Sequence, residues 1–328
     1  MAEAYRLCDT TGRIDYPLQA LDALDAVDGL QLELKTVQLT EPDELLAECE
    51  SADALLVAGA WVTREVMEGL PRLKVVVRYG VGMDRIDLQA AEELGVVAQN
   101  VRDFCTGEMA DHCLGMLLAC ARNLCEYAKS SRQGLWGDGV DRPVSRLQGA
   151  IAGIVGFGAI GRALATRLSA LEMNVLCYDP YIDADAAAAP GVKSVQLEDL
   201  LSQADFVSLN CALTDDTRQL IGAAELEAMK PTAFLINTSR GEVVDEAALI
   251  EALQQERIAG AALDVLQTEP PPKDHPLLQM ERVLVTPHVA WYSEEAAEDV
   301  VVGAFEHLAR LLPQFTPGAV RTSPAGPR

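Results

Sequence analysis

The sequence lacks the features that would place the chain in a membrane, in the secretory pathway or around a structural metal. No apolar run is long enough to cross a bilayer. The first residues do not combine a basic segment with an apolar stretch and a cleavage site. No pair or cluster of cysteine and histidine has the spacing of a zinc site. We therefore expect a cytoplasmic protein with no membrane partner and no metal.

Basic residues are also scarce. The chain has 26 Lys and Arg against 50 Asp and Glu, a formal net charge of -24 at pH 7. Such a surplus of negative charge repels phosphate backbones and anionic lipid, and no stripe of Lys and Arg offsets it. We therefore expect no direct binding to nucleic acid.

The chain is long enough, at 328 residues, to form two well-filled domains. Strand-like apolar segments alternate with helical patterns, which predicts parallel sheets covered by helices. The first series of predicted strands comprises residues 5–8, 32–36, 54–57, 75–78 and 96–100. The second comprises residues 150–155, 174–178, 206–209, 233–237, 260–264 and 283–286. Six such strands are what a dinucleotide-binding unit needs.

Two helical segments stand out beside these strands. Residues 108–124 form a long, strongly apolar pattern, which favours packing between domains or across a homodimer interface; a plain core helix is the alternative. A last helix is predicted from after Ser293 to about Leu312. The tail from Pro313 is rich in Pro, Gly and Ser, which predicts a disordered or loosely attached segment.

A glycine-rich segment, Gly156-Phe157-Gly158-Ala159-Ile160-Gly161, follows an apolar strand and precedes a helical pattern. This is the context that a dinucleotide-binding loop requires. Gly156 permits a tight turn, Gly158 lets the backbone approach a pyrophosphate, and Gly161 allows close packing of the helix. The helix N-terminus, with Ala159 and Ile160, offers unpaired N–H groups to the anion.

An acidic residue supports this interpretation and indicates which cofactor binds. Asp179 lies at the end of the next predicted strand, 18 residues beyond Gly161, where a carboxylate can accept hydrogen bonds from the adenosine ribose. The same charge would repel a 2′-phosphate, and no Arg or Lys lies between Asp179 and Ala189. We therefore expect NAD rather than NADP.

Only four histidines are available as a general acid or base. His112 lies in the apolar helix, His275 in a proline-rich turn and His307 in the last helix. His288 instead follows a predicted strand, at the carboxyl edge where open α/β sheets bind ligands. A histidine at a strand end is by itself more often structural than catalytic, so its role remains open from position alone.

Several motifs together resemble the D-isomer-specific 2-hydroxyacid dehydrogenase family over nearly the whole chain. In family order, they are Arg78-Tyr79-Gly80-Val81-Gly82-Met83-Asp84, the glycine-rich segment, Asn237-Thr238-Ser239-Arg240-Gly241, Ala262-Leu263-Asp264-Val265 with Glu269-Pro270, and Thr286-Pro287-His288. Within that family, the segment His288-Val289-Ala290-Trp291-Tyr292-Ser293 most resembles the branch of the C-terminal binding proteins and their bacterial dehydrogenase relatives, in which a tryptophan follows the histidine by three residues.

The resemblance implies a hydride transfer between NAD(H) and C2 of a small 2-hydroxy or 2-oxo acid, with D stereospecificity. It implies two doubly wound parallel α/β domains: a Rossmann NAD-binding domain of residues 102–292 and a smaller, flavodoxin-like substrate domain. The substrate domain would be discontinuous, from residues 1–101 and 293–328.

The resemblance also assigns three catalytic residues, whose types suit the reaction. Hydride addition to a 2-oxo acid leaves an alkoxide that must gain a proton, which His288 would supply. Glu269 would hold the imidazole and favour its protonated form. Arg240 would present a planar fork to the substrate carboxylate and carbonyl. The alternatives are a surface ion pair for Arg240 and a solvated loop acid for Glu269.

Further positions follow from the same resemblance. The loop after residue 78 would bind the substrate carboxylate through backbone N–H groups, a simple turn being the alternative; it comprises Tyr79, Gly80, Val81 and Gly82. Trp291 would wall the substrate pocket or belong to the core. The residues expected around the nicotinamide half of the cofactor are Cys211, Ala212, Leu213, Thr238 and Asp264.

Two rival functions stay open at this stage. The first is an NAD-sensing dimeric scaffold of the C-terminal binding protein type with little turnover. The second is another oxidoreductase, since formate and phosphite dehydrogenases resemble the same family. The identity of the 2-oxo acid cannot be derived from the sequence, because loop residues build its pocket.

Overall fold

The computed structural model describes residues 4–136, 144, 146–182 and 191–321. The chain divides into two compact units. One, here called the discontinuous unit, consists of Met1–Phe104 and Ser293–Arg328. The other, the central unit, consists of Cys105–Tyr292.

The described residues form twelve β-strands and twelve α-helices. In chain order the strands are β1 (Tyr5–Asp9), β2 (Leu32–Thr36), β3 (Ala54–Val57), β4 (Val75–Arg78), β5 (Val97–Asn100), β6 (Ile151–Val155), β7 (Asn174–Tyr178), β8 (Val192–Ser194), β9 (Phe206–Leu209), β10 (Phe234–Asn237), β11 (Gly260–Leu263) and β12 (Val283–Val285). The helices are α1 (Leu18–Asp25), α2 (Pro42–Glu48), α3 (Arg64–Gly69), α4 (Leu88–Leu94), α5 (Thr106–Ala121), α6 (Leu124–Arg132), α7 (Ala159–Ala170), α8 (Leu197–Gln203), α9 (Ala223–Ala228), α10 (Glu246–Gln254), α11 (Pro276–Gln279) and α12 (Glu294–Leu311). None of these helices combines the length and the apolar character needed to cross a membrane.

The discontinuous unit is built on a parallel sheet with the strand order β2-β1-β3-β4-β5. This is the 2-1-3-4-5 order of flavodoxin-like sheets. Successive side chains of a strand point to opposite faces. Leu55 of β3 therefore packs in a core with α2, α3 and α4, whereas Leu56 packs with Phe305 and Leu308 of α12. Helices thus cover both faces of the sheet.

Helix α12 and the segment after it complete this unit. The helix starts where it was predicted, because the Ser293 hydroxyl accepts the N–H of Ala296 at 2.9 Å and caps its first turn. The prediction of a loosely attached tail is wrong for residues 313–321. Gly318 N–H donates to the buried carboxylate of Asp53 at 3.1 Å, and Arg321 N–H donates to the Pro71 carbonyl at 2.8 Å. Residues 322–328 lie outside the described part of the chain.

The central unit contains a parallel sheet with the strand order β12-β11-β10-β9-β6-β7-β8. Counted from β6, this is the Rossmann order 3-2-1-4-5-6 with one further strand. The predicted fold class of two doubly wound parallel sheets is confirmed. The predicted number of six strands is wrong, because β8 pairs with β7 at one edge through Val175 and Val192. This strand has only three residues, and the exposed Lys193 and Ser194 leave it without an apolar run.

The predicted helix 108–124 is shorter than expected. Helix α5 ends at Ala121, and α6 starts at Leu124 after Asn123 adopts a left-handed conformation with φ of 49°. The apolar residues of α5 pack inside their own unit, where Leu117 shares a core cluster with Leu164 of α7. A core helix, the alternative considered for this segment, therefore describes α5.

Candidate active site

The predicted site residues of the central unit gather at one edge of its sheet. All strands of the sheet are parallel, so their carboxyl ends lie at the same edge, where such sheets bind ligands. Six of the seven loops that leave the sheet there carry predicted site residues: Gly156 after β6, Asp179 after β7, Cys211 after β9, Arg240 after β10, Asp264 after β11 and His288 after β12.

The glycine-rich loop has the space that a dinucleotide needs. Gly156 has φ of +89°, and a Cβ there would lie 2.5 Å from the backbone nitrogen of Cys211. A Cβ on Gly161 would lie 2.3 Å from the Gly156 carbonyl oxygen, so both positions require glycine. At Gly158, by contrast, a Cβ would meet no atom within 4 Å. Gly158 precedes the first turn of α7, so the loop leaves room for an anion at a helix N-terminus.

Asp179 lies directly beside this loop. One carboxylate oxygen accepts the N–H of Phe157 at 2.8 Å, and the other accepts the N–H of Tyr181 at 2.9 Å. Each oxygen keeps a further lone pair for a ribose hydroxyl. The glycine loop, the helix N-terminus and the anchored carboxylate therefore fit an NAD molecule.

His288 and Glu269 form a hydrogen-bonded pair. His288 Nδ1 lies 2.7 Å from Glu269 Oε2, and the other oxygen of Glu269 accepts the N–H of Leu266 at 3.0 Å. Burial alone would raise the pKa of Glu269, but the hydrogen bond and charge of His288, the Leu266 amide and the charge of Arg240 together lower it. The His288 side chain is 43% exposed, and no described residue contacts its Nε2 by a hydrogen bond. This nitrogen is therefore the one available to a substrate.

Arg240 follows β10 in a turn that Asn237 organises. The Asn237 side chain accepts the N–H of Ser239 at 3.0 Å and donates to the Arg240 carbonyl at 2.9 Å. The next residue, Gly241, packs against the loop that leads to Glu269, since a Cβ on it would lie 2.1 Å from the Leu266 carbonyl carbon. The two loops are thus held together. The sequence analysis places Asn237 in a family motif but gives it no role, although an asparagine before a polar turn is a recognisable signal.

Two residues predicted to line the nicotinamide have their side chains engaged within the protein. The Asp264 carboxylate is buried and accepts the N–H groups of Val289 and Ala290, each at 2.9 Å. The Thr238 hydroxyl is buried 3.0 Å from the Cys113 sulfur. Both residues lie at the expected strand ends, but their side chains bond to other groups of the protein and hold the loops of the site in place.

The remaining predicted positions of the central unit lie in exposed loops. Cys211 and Leu213 are half-buried against the core, with the exposed Ala212 between them. Burial raises the pKa of the Cys211 thiol to about 11, so it stays protonated near neutral pH. Trp291 is half-buried, and its ring meets that of Tyr292 edge to face with centroids 5.6 Å apart.

The predicted substrate loop, in the discontinuous unit, agrees only in part with expectation. Tyr79 donates its N–H to Val57 in the sheet and its hydroxyl to the buried Asp9 carboxylate at 2.9 Å, so it has no amide to offer. Within the described residues, the N–H groups of Gly80, Val81 and Gly82 have no hydrogen-bond partner. These three N–H groups, without that of Tyr79, form the candidate carboxylate site.

Comparison with known proteins agrees with this geometry. Residues 114–290 match the D-isomer specific 2-hydroxyacid dehydrogenase family, NAD binding domain. The chain is 35% identical over 289 residues to the glycerate dehydrogenase of Methylorubrum extorquens, covering 85% of this chain and 89% of that enzyme. It therefore belongs to the D-isomer-specific 2-hydroxyacid dehydrogenase family and contains the family's NAD-binding domain.

Two further relatives extend the comparison. The chain is 39% identical over 272 residues to the D-3-phosphoglycerate dehydrogenase of Methanocaldococcus jannaschii, covering 82% of this chain and 52% of that protein. It thus spans about half the length of the D-3-phosphoglycerate dehydrogenases it matches. The structure of D-lactate dehydrogenase from Aquifex aeolicus, complexed with NAD and lactic acid, superposes with a TM-score of 0.84 at 25% identity, covering 94% of this chain and 96% of that one. The assignment to the branch of the C-terminal binding proteins stays a prediction.

Proposed function

We propose that the protein is an NAD-dependent D-2-hydroxyacid dehydrogenase acting on a small 2-hydroxy or 2-oxo acid. The observation that carries this proposal is the His288–Glu269 pair, joined at 2.7 Å at the sheet edge where the dinucleotide loop also lies. A histidine with one nitrogen held by a carboxylate and the other open is suited to proton transfer near neutral pH.

In this proposal, separate residues bind the cofactor, orient the substrate and transfer the proton. Gly156, Gly158, Gly161 and Asp179 would hold NADH, which would supply the hydride when bound. Arg240 binds the carboxylate and carbonyl oxygens of the oxo acid and orients its C2 atom. His288 Nε2 donates a proton to the oxygen that becomes the hydroxyl, and it accepts that proton in the reverse direction.

Two further groups of residues bear on substrate binding. We propose that the N–H groups of Gly80, Val81 and Gly82 bind a substrate carboxylate, because these three consecutive amides have no hydrogen-bond partner in the described part of the chain and can form an anion site. We propose that Trp291 forms a wall of the substrate pocket. The names of the relatives make glycerate and 3-phosphoglycerate, with their 2-oxo counterparts, the first candidates.

The test is a panel of 2-oxo acids with NADH, followed by loss of NADH absorbance. The panel contains glyoxylate, pyruvate, hydroxypyruvate and 3-phosphohydroxypyruvate. His288→Asn should lower kcat about 10²- to 10⁴-fold, the usual contribution of a general acid. His307→Asn is the matched control, because this histidine lies on α12, where Arg310 donates to its Nδ1 at 2.9 Å, and has no role in the proposed reaction; kcat should stay unchanged. Absence of turnover on every acid, together with retained NADH binding, would favour the NAD-sensing scaffold instead.

We also propose that the protein is a homodimer, with a contact surface different from the one first expected. The apolar side chains of α5 are largely buried, but on α6 and just after it Leu124 is 52%, Leu135 44% and Trp136 90% exposed. Apolar surface of this kind is costly to leave in water and marks an association site. Light scattering at micromolar concentration should show a dimer that Trp136→Ser weakens. A monomeric wild-type protein would contradict the proposal.

A further inference from the structure

The backbone at and after His288 is held by one buried residue, Asp264, through its carbonyl and its carboxylate. His288 has φ of 54°, a left-handed conformation that is unfavourable for a residue other than glycine and needs support from its surroundings. Its N–H donates to the Asp264 carbonyl at 2.8 Å. The next two N–H groups, of Val289 and Ala290, donate to the two Asp264 carboxylate oxygens. The position of the imidazole therefore depends on Asp264, which holds its backbone, as well as on Glu269, which bonds to its ring.

Asp264 is in turn fixed by a chain of donors that ends on a second histidine. The Thr286 hydroxyl donates to Asp264 Oδ1 at 2.5 Å. A hydroxyl has a single proton, so the Thr286 oxygen is an acceptor toward His112 Nε2, which lies 3.0 Å away. His112 Nε2 must therefore carry a proton and donate it. The chain of donors runs from His112 through Thr286 to Asp264 and the loop.

We infer that His112 is a positioning residue for His288. It lies on α5 and joins that helix, through Thr286 at the end of β12, to the loop that carries the proposed acid. Among the described residues, its imidazole forms no hydrogen bond with Glu269 or His288. It reaches Asp264 through the Thr286 hydroxyl and also lies near it directly, with Nε2 3.8 Å from Oδ1. The consequence for catalysis rests on the proposed role of His288; the consequence for the loop does not.

The first test compares two substitutions of His112 in the full-length protein. His112→Phe keeps a ring but removes the donor, and it should lower kcat for the best 2-oxo acid about 10- to 100-fold, the effect of a displaced catalytic group. The KM and the Kd for NADH should change less than about threefold, because the cofactor loop is untouched. His112→Gln restores a donor at similar reach and should recover most of the rate.

A matched control separates positioning from a general effect on α5. Asp111, the neighbour of His112, pairs with Arg167 of α7 at 2.6 Å and forms no hydrogen bond with the described residues of the His288 loop. Asp111→Asn should leave kcat unchanged. Thr286→Val should lower kcat as much as His112→Phe does, whereas Thr286→Ser, which keeps the hydroxyl, should retain the wild-type kcat. The double variant of His112→Phe and Thr286→Val should have a kcat no lower than that of the poorer single variant, because both substitutions interrupt the same chain of hydrogen bonds. These Thr286 variants also decide the matter if His112→Phe does not fold.

The second test does not depend on activity. Amide hydrogen exchange, resolved at His288, Val289 and Ala290, should be about tenfold faster in His112→Phe than in the wild type, and near wild type in Asp111→Asn. If the wild type reduces no 2-oxo acid, the proposed function fails, and the exchange rates still decide the structural role of His112. Unchanged exchange in His112→Phe would overturn the inference. Faster exchange with an unchanged kcat would also overturn the inference, because catalysis would then not require His112 to hold the His288 loop in place.

Discussion

Replacing Glu269 by glutamine should lower the rate of 2-oxo acid reduction about fivefold at neutral pH and leave NADH binding nearly intact. Reduction takes a proton from His288, and the Glu269 carboxylate, 2.7 Å away, accepts a hydrogen bond from the imidazole and stabilises its charged form. The environment of Glu269 lowers its pKa, so Glu269 stays ionised through neutral pH. The negative charge that glutamine removes is therefore present in the wild type throughout this range.

The size of the effect follows from the geometry of the pair. A hydrogen bond to a charged group contributes about 1.5–3 kcal/mol when it is shielded from water. The His288 side chain is 43% exposed, so solvent screening reduces this to about 1 kcal/mol. That free energy corresponds to roughly a fivefold loss of kcat/KM at neutral pH. Below the lowered pKa of Glu269 its carboxyl is neutral in the wild type as well, so the two rates should converge there.

The assay is kcat/KM for the best 2-oxo acid between about pH 4 and 9, with the Kd for NADH measured separately. The matched control is Glu227→Gln. Glu227 lies on α9 of the same unit, where its exposed carboxylate pairs with Arg257 at 2.7 Å, and its substitution should leave kcat/KM unchanged. If Glu269→Gln keeps the wild-type kcat/KM at neutral pH, Glu269 is not the functional partner of His288.

Three further predictions concern cofactor binding and stability. Asp179→Ala should raise the Kd for NADH about tenfold and narrow the preference over NADPH, because it removes a ribose acceptor and a repulsive charge; an unchanged ratio of the two Kd values, measured by fluorescence, would contradict the assignment. Gly161→Ala should lower the free energy of unfolding, measured in urea, by about 1–3 kcal/mol, because the new Cβ would lie 2.3 Å from a backbone oxygen. Gly158→Ala, whose Cβ would meet no atom within 4 Å, should instead weaken NADH binding and leave the free energy of unfolding unchanged. Tyr79→Phe should cost about 1–2 kcal/mol, because it removes a donor to Asp9. Burial and the Asp9 carboxylate raise the pKa of Tyr79 in the folded protein. The contribution of Tyr79 to the free energy of unfolding is therefore complete at neutral pH and is lost above about pH 10, where the tyrosine of the unfolded chain ionises first. In Tyr79→Phe, the free energy of unfolding in urea should accordingly depend less on pH in the alkaline range.

The strands show which elements the local pattern of apolar residues predicts and which it does not. The predicted ranges for β2, β3 and β4 coincide with the structure, and central strands such as β3 read as continuous apolar runs because helices cover both their faces. The pattern does not reveal β8, whose three residues lie at an edge, or the break at Asn123. A short exposed strand and a single left-handed residue change the apolar periodicity too little to be read.

The sequence alone determined the features that depend on neighbours in the chain: the two strand series, the glycine loop between a strand and a helix, and the acidic residue at the next strand end. These are local because backbone geometry and burial set them over a few residues. Only the tertiary structure decided which side chains pair. It joins Glu269 to His288, turns Asp264 toward the loop after β12, and buries the hydroxyl of Tyr79 against Asp9. Such partners lie up to 70 positions apart, and a hydrogen bond requires about 3 Å between particular atoms, which the course of the whole chain decides.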